Sequence, residues 1–387
     1  MINPGKQLED IELTKTQRER AVTLYTHLCE GIQARGLNIS FYPQGSFALK
    51  TAVRPFAKGK EQAYDVDVIC NFDDYSKDEL DSGQLMLLLR QTAREVCKER
   101  SLEMDYYERC VTVHYADDPS GVSFSIDLIP AVRESKLKLA VLRAKTEESE
   151  LVETSLAIDS LSKGWITNNP QGYRKWFEEK AAQFDSRFIQ ESRGAFASVE
   201  ELPDDDTPSS RLRQSIKLLK RLRDVYYDEI DAKTSSPSVI ITTIVTKLAQ
   251  SISPSVTSLE LLDAIIRELN QVFLLHERGE AYATTYQTMP IAKIVMRENG
   301  KWVLRNPTNW EDNVLSSWNE TGAVASKEFF RWIKSLQVIT KDYKKRGQSD
   351  LEFEQQFRGS LLINKKSPNM PRFNVNSSNG VKPWKKQ

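Results

Sequence analysis

Two hydrophobic periods alternate along the first 165 residues. Apolar side chains recur at helical spacing over 14–34, where Thr14 and Gln17 fit a capping box. A second helical stretch is predicted to begin with Ser76 and Glu79 as its cap. Between and after these helices, β-type runs occupy 38–42, which stops at Pro43, then 64–70, 110–115 and 122–130, with a further candidate at 137–142.

After about residue 160 the helical period dominates. Helices are predicted at 173–188, 210–227, 238–251, 259–277 and 323–344, with an acidic loop at 199–208. Four tryptophans are expected to anchor their packing: Trp302, Trp310, Trp318 and Trp332. The fold class is therefore α+β, with expected units at 1–165, 166–347 and a partly ordered tail at 348–387.

Composition narrows the class of protein. The chain has 387 residues, 28% of them charged and 40% hydrophobic, which is typical of a soluble globular protein. It contains no apolar run long enough for a transmembrane helix and no apolar leader at its start, so we expect a cytoplasmic protein without membrane contact. The four cysteines form no CxxC pair and no zinc pattern, which favours free thiols in a reducing compartment.

The formal net charge is +0, but the charges are unevenly distributed. Residues 355–387 contain seven Lys or Arg and no acidic residue, so the rest of the chain has a net charge of −7. Proteins that bind long nucleic acids through phosphates usually carry a basic excess. An acidic body with a basic tail therefore argues against a nucleic-acid-binding body.

The candidate chemistry lies in three short segments. Asp65 and Asp67 are two positions apart in a predicted strand, so both project from one face, about 7 Å apart. Carboxylates on such a face are costly unless a cation lies between them, and an all-oxygen set suits Mg²⁺ or Mn²⁺. Asp127, in another apolar strand, could complete a site for two ions. Gly45 and Ser46 follow a strand, where backbone N–H groups and a hydroxyl can reach phosphate oxygens.

Each piece alone is weak, because isolated Asp-x-Asp and Gly-Ser pairs are common at strand edges and turns. Their order within one α+β half resembles the polymerase-β-like nucleotidyltransferase superfamily. More closely, the chain resembles the cGAS/DncV-like nucleotidyltransferases (CD-NTases) of bacterial CBASS anti-phage systems. The resemblance is carried by Gln44–Pro55, Tyr64–Val68, Ile126–Pro130, Asn169–Phe177, Ile216–Arg221 and Ser238–Thr243.

The resemblance implies a polymerase-β-like core and a C-terminal helical, OAS-like domain, with the active site in the cleft between two lobes and the first helix packed on both. It also implies synthesis of a cyclic di- or trinucleotide from NTPs, ATP among them, with two Mg²⁺ or Mn²⁺. Asp65, Asp67 and Asp127 would bind metal, and Asp127 would help deprotonate the attacking hydroxyl. The donor triphosphate would be held by Gln44, Gly45, Ser46, Lys217 or Lys220, and Ser238.

Several of these residues have a second interpretation. Lys217 and Lys220 fit a solvated basic helix face equally well. Ser238 follows a proline and could be only a helix cap. Thr51 either closes the short helix after Gly45 or contacts the acceptor nucleotide. The basic tail is either a soluble extension or a contact for accessory proteins of the CBASS system.

Two other functions remain open at this stage. One is nucleotidyl transfer to an RNA end or a protein hydroxyl. Such a function would need a basic channel, of which the sequence gives no sign. The other is an inactive nucleotide-binding scaffold, against which the presence of all three aspartates argues. Vertebrate cyclic GMP-AMP synthase has a His/Cys zinc element and a basic surface that are absent here, so we expect no activation by double-stranded DNA.

Overall fold

The computed structural model describes residues 11–57, 60–117, 122–160, 164–195, 210–230, 235–252, 258–320 and 323–346. The strands are β1 (Ile39–Gln44), β2 (Phe56–Ala57), β3 (Lys60–Glu61), β4 (Tyr64–Ser76), β5 (Glu103–Tyr106), β6 (Val111–Tyr115), β7 (Phe124–Arg133), β8 (Leu156–Ser160), β9 (Gly164–Asn168), β10 (Met296–Glu298), β11 (Lys301–Val303), β12 (Arg305–Asn306) and β13 (Asn309–Asn313). The α-helices are α1 (Lys15–Gln33), α2 (Gly45–Ala48), α3 (Ser82–Glu99), α4 (Lys136–Arg143), α5 (Pro170–Ala195), α6 (Arg211–Glu229), α7 (Ser238–Ala249), α8 (Ser258–Arg278), α9 (Glu280–Gln287) and α10 (Val324–Arg346).

A mixed seven-stranded sheet forms the first lobe. Five strands follow the order β1-β4-β7-β6-β5, β8 pairs with the C-terminal residues of β7, and β9 pairs with β8. Strands β4 and β7 are parallel, and the other neighbours are antiparallel. The expected α+β class is confirmed, and the second lobe is mainly helical. The short strand pairs β10–β11 and β12–β13 in that lobe were not predicted from the sequence.

The described residues form two large hydrophobic cores, one mainly in each lobe, and a smaller cluster around Ile69 and Ile129. The first lies between α1, α3 and the sheet face that carries Val66, Val68 and Cys70. The second is built from α5 to α10 and includes Trp176, Trp318 and Trp332. The N-terminal segment connects the cores, because Ile11 is buried in the second and Leu13 in the first.

Some local predictions are corrected by the structure. The segment 137–142 belongs to helix α4, because the Ser135 side chain caps the helix by accepting a hydrogen bond from the Lys138 N–H. Helix α3 is capped by Asp81, whose capping box includes Gln84. The Ser76–Glu79 pair instead closes a turn at the end of β4.

Strand β1 continues through Pro43, which an edge strand tolerates because its unpaired side needs no N–H donor. Trp310 is partly exposed and stacks with the guanidinium of Arg305 instead of anchoring the core. The acidic loop and the basic tail lie outside the described residues.

The connection between the lobes is fixed by Asn169, a buried residue just before α5. Its side-chain amide donates to the carbonyl oxygens of Leu151 (2.8 Å) and Thr308 (3.1 Å) and accepts from the Gly172 N–H (3.0 Å). A Cβ atom at Gly172 would lie 2.4 Å from the Asn169 amide nitrogen. The Asn169–Gly172 motif therefore ties the start of α5 to a segment before it in the sequence, at Leu151, and to one far after it, at Thr308.

Candidate active site

The candidate site is one row of residues across four neighbouring strands. Gln44 on β1 pairs with Asp67 on β4, Asp67 with Asp127 on β7, and Asp127 with Thr112 on β6. Residues paired in register project from the same face of a sheet. Asp67 and Asp127 thus lie side by side on parallel strands, about 4.8 Å apart along the hydrogen-bonding direction.

The polar row occupies the face opposite the first core. Alternation along β4 buries Val66 and Val68 against the helices, and places Asp65 and Asp67 on the other side. Asp127 is 0% exposed and Asp67 is 7% exposed. Two carboxylates in register and out of water repel each other unless hydrogen bonds or cations offset their charge.

Two hydroxyl groups orient these carboxylates. Thr112 Oγ1 donates to Asp127 Oδ1 over 2.6 Å, and Ser125 Oγ donates to Asp65 Oδ1. Sequence reasoning missed both residues. Ser125 shares a face with Asp127 because it lies two positions earlier, a signal that was present in the sequence. Thr112 could not be found in this way, because only the pairing of β6 with β7 brings it there.

The chemistry of these residues fits divalent cations. Asp65, Asp67 and Asp127 supply only oxygen atoms, the ligands that Mg²⁺ and Mn²⁺ prefer. In the part of the chain that the structure describes, no three His, Cys, Asp or Glu side chains converge at metal-binding distance. Instead, Asp65 and Asp127 accept the hydrogen bonds from Ser125 and Thr112.

Gly45 begins the short helix α2 at the end of the row. Its φ of +64° lies in the left-handed region, and a Cβ atom there would lie 2.8 Å from Asp67 Oδ2. Both observations require glycine. Gly45 therefore lies directly beside the Asp67 carboxylate, and Ser46, the next residue, is half-buried.

The end of α2 is a Schellman motif. The Thr51 N–H donates to the Ser46 carbonyl (2.9 Å), and the Lys50 N–H donates to the Phe47 carbonyl (3.1 Å). Lys50 has a φ of +56°, the left-handed position that glycine normally fills. Thr51 therefore closes the short helix, which is one of the two roles left open by the sequence.

Lys50→Gly is expected to stabilise the fold by about 0.5–1 kcal/mol, because it relieves the left-handed strain of a residue with a Cβ. Urea unfolding followed by circular dichroism would measure the change. Lys98, near the end of helix α3, provides the control, since Lys98→Gly should destabilise by about 1 kcal/mol. Equal destabilisation by both changes would contradict the assignment of the motif.

The two candidate lysines of α6 are buried and contact protein groups. Lys217 Nζ lies 2.6 Å from Glu12 Oε1. Lys220 is 2% exposed, and its Nζ donates to the carbonyl (3.0 Å) and the hydroxyl (2.9 Å) of Thr51. The interpretation of Lys217 and Lys220 as part of a solvated basic helix face is therefore wrong. Their predicted contact with triphosphate stays a prediction, since the structure gives both amines other partners.

The pKa of Lys220 is lowered to about 7, first by burial and then by the nearby Arg223 and Lys217, against the opposing effect of Asp224. The unfolded chain keeps this proton up to its ordinary pKa of 10.5. Between about pH 7 and 10 the unfolded state therefore binds more protons, and stability rises with pH.

The unfolding free energy of the wild type, minus that of Lys220→Met, is accordingly expected to increase between about pH 7 and 9.5. Chemical denaturation at several pH values would measure it. A difference that stays flat over this range would show that Lys220 keeps an ordinary pKa.

Ser238 is the first residue of α7, after Pro237, which occupies the cap position. Its hydroxyl accepts a hydrogen bond from Arg223 (2.9 Å), which also donates to the Ser236 carbonyl (2.9 Å). The structure thus ties Ser238 to α6. Its predicted contact with phosphate stays a prediction.

Comparisons with known proteins agree with this geometry. Residues 39–129, which span β1 to β7 and contain Gly45, Ser46 and the three aspartates, match the family described as "Cyclic GMP-AMP synthase DncV-like, nucleotidyltransferase domain". The chain is 24% identical over 354 residues to a c-di-GMP synthase of Roseivirga ehrenbergii, covering 88% of this chain and 78% of that protein.

Two solved structures share the fold over most of the chain. The Bradyrhizobium diazoefficiens CD-NTase CdnG in complex with GTP has a TM-score of 0.58 at 16% identity, covering 92% of this chain and 98% of that chain. The Vibrio cholerae DncV cyclic AMP-GMP synthase in complex with nonhydrolyzable GTP has a TM-score of 0.52 at 15% identity, covering 85% and 70%. None of the helices in the described ranges is long and apolar enough to span a membrane. Together with the Gly45–Ser46 turn and the aspartate row (Asp65, Asp67 and Asp127), these matches agree with the resemblance inferred from the sequence: residues 39–129 form a DncV-like nucleotidyltransferase domain, and the chain has the fold of the CD-NTases.

Proposed function

We propose that this enzyme joins purine nucleoside triphosphates into a cyclic dinucleotide, with catalysis at the carboxylates of Asp65, Asp67 and Asp127. The observation that carries the proposal is the in-register pair of Asp67 and Asp127 beside the Gly45–Ser46 turn. In this arrangement the carboxylates that would bind metal lie within one side-chain length of the turn that would bind phosphate. A cyclic trinucleotide is the alternative product of the same chemistry.

In the proposed reaction, a ribose hydroxyl of one nucleotide attacks the α-phosphorus of another. A bond forms between the ribose oxygen and the α-phosphorus. The bond from the α-phosphorus to the oxygen that bridges to the β-phosphorus breaks, and pyrophosphate leaves. A second transfer closes the ring. Two Mg²⁺ or Mn²⁺ held by the three aspartates would polarise the α-phosphate and stabilise the leaving pyrophosphate.

The side chains have separate roles in this proposal. Asp65 and Asp67 would hold both ions, and Asp127 would hold one ion and accept the proton of the attacking hydroxyl. The N–H groups and hydroxyl at Gly45 and Ser46 bind the donor triphosphate, with Gln44 at the edge of the row. Thr112 and Ser125 keep the carboxylates directed across this face.

GTP is the first substrate to test. The curated relative is named a c-di-GMP synthase, and both structural neighbours described above contain GTP or its analogue. ATP remains the second candidate, since the DncV structure is named a cyclic AMP-GMP synthase. Pyrimidine nucleotides are tested in the same assay.

The experiment combines purified full-length protein, all four labelled NTPs and Mg²⁺ or Mn²⁺, followed by phosphatase treatment. A phosphatase-resistant product identified by mass spectrometry and nuclease digestion supports the proposal. Label transferred to added tRNA or protein would support the alternative nucleotidyltransferase function, and no product with either metal would support an inactive scaffold. Activity is expected without added DNA, and strict dependence on double-stranded DNA would contradict that expectation.

We further propose that the product serves as a second messenger in anti-phage defence, and that residues 1–165 and 166–347 act as a catalytic unit and a helical unit. The separate cores of the two lobes support this division. Contacts of residues 348–387 with accessory proteins remain a prediction from the basic composition of the tail. Deleting the residues after Gly347 should leave synthesis intact if the tail serves only partners.

A further inference from the structure

Helix α6 directs a row of basic side chains at the segment that follows α2. Arg213, Lys217, Lys220 and Arg221 are spaced so that they share one side of the helix. Arg213 Nε donates to the Leu49 carbonyl (3.1 Å), and Arg221 donates to the Arg54 carbonyl (3.0 Å). Together with the contact of Lys220 to Thr51, three of the four hold backbone carbonyls of the catalytic lobe.

Two of these carbonyls belong to the end of α2. Leu49 is the C-cap of that helix, and Thr51 closes its Schellman motif. The Arg213 guanidinium is a cation at this C-terminal end, where a positive charge stabilises the free Leu49 carbonyl. A helix of four residues is too short to be stable by itself, so its position depends on tertiary contacts.

The contacts are well shielded from water. Thr51 is fully buried and Lys220 nearly so, and the Arg213 guanidinium packs over the ring of the buried Phe177 at 5.3 Å. Removal of the Lys220 amine would take a hydrogen-bond donor from both the carbonyl and the hydroxyl oxygen of the buried Thr51, which costs free energy. The other end of the same short helix carries Gly45 and Ser46, and a Cβ atom added to Gly45 would lie 2.8 Å from Asp67 Oδ2.

We propose that Lys220, with Arg213, is a positioning residue that holds α2, and so Gly45 and Ser46, against the aspartate row. Lys220 acts through Thr51, and Arg213 acts through Leu49. The helical lobe thereby fixes the phosphate-binding turn of the catalytic lobe. This inference rests on the proposed function of that turn, and it differs from a direct contact between the lysine and the triphosphate.

The experiment is a double-mutant cycle between Lys220→Met and Thr51→Val, with Lys247→Met as the matched control. Lys247 lies on α7 and pairs with the exposed Glu147, away from α2. Each full-length variant is assayed for kcat and KM of product formation. Its binding of α,β-methylene GTP and α,β-methylene GDP, and of their adenosine counterparts, is measured with Mg²⁺.

Lys220→Met is expected to lower kcat by about 10- to 100-fold, because a displacement of about 1 Å at a reacting group costs that order of rate. Thr51→Val should cost about 3- to 10-fold, and the double variant should be no worse than Lys220→Met alone. Affinity for the diphosphate and triphosphate analogues should fall by the same factor. Lys247→Met should behave as the wild type.

Three results would overturn the inference: additive effects in the double variant, an unaffected Thr51→Val, or a loss of affinity confined to the triphosphate. The last would identify Lys220 as a direct phosphate ligand. If Lys220→Met does not fold, Thr51→Val and Thr51→Ser decide the question, since the serine hydroxyl should recover most of the lost rate. A wild type that makes no product and binds no analogue would overturn the proposed function, and this inference with it.

Discussion

Asp67→Asn is expected to lower the rate of nucleotidyl transfer by at least about 1000-fold. The change removes one negative charge from the centre of the row while keeping the shape of the side chain. Divalent cations at such a site supply several kcal/mol of transition-state stabilisation, and each 1.36 kcal/mol corresponds to about tenfold in rate. Asp127, its partner in register, cannot replace the lost charge, because the two carboxylates extend from different strands.

Initial rates of product formation at saturating Mg²⁺ would measure the effect, with circular dichroism used to confirm folding. Asp105→Asn is the matched control, because Asp105 is an exposed residue of the edge strand β5 that pairs with His114. The control should keep wild-type activity. A folded Asp67→Asn protein with activity within tenfold of the wild type would contradict the assignment of the row.

Gly45→Ala is expected to lower activity by about 100-fold and stability by about 1–2 kcal/mol. The stability cost comes from the left-handed backbone, which disfavours any residue with a Cβ. The activity cost comes from the methyl group, which would lie 2.8 Å from Asp67 Oδ2 and must displace the carboxylate or the turn. Misplacement by about 1 Å is enough for an effect of this size.

Gly300→Ala separates these two causes. Gly300 has a φ of +76°, but nothing lies within 4 Å of an added Cβ. It should therefore lose comparable stability while keeping full activity. Thermal unfolding and product formation, measured on both variants, would test the distinction. If Gly45→Ala loses only stability, the turn does not need its close approach to Asp67.

Local sequence signals predicted the elements that carry the candidate site. Alternation along 64–70 assigned Asp65 and Asp67 to one face, and the structure places them there. The capping box at Thr14 is present as predicted, because it needs only two residues that are three positions apart in the sequence. The same kind of signal was misleading at Ser76, because the similarly spaced Ser76 and Glu79 close a turn instead of starting a helix.

Basic residues on α6 show the limit of such reasoning. A stripe of Lys and Arg has the same spacing whether it faces water, a ligand or another part of the protein. Lys220 is buried because residue 51, far away in the sequence, lies against it. Nothing within the helix distinguishes it from an exposed lysine.

By itself, the sequence determined the α+β class, the common face of Asp65 and Asp67, and the Gly45–Ser46 turn beside a strand. The tertiary structure decided that Asp127 lies in register with Asp67, that Thr112 and Ser125 donate to the carboxylates, and that Lys220 of α6 contacts Thr51. The physical reason is the distance in sequence over which each interaction acts. Side-chain direction and capping depend on a few consecutive residues, whereas strand order and burial depend on the free energy of packing the whole chain.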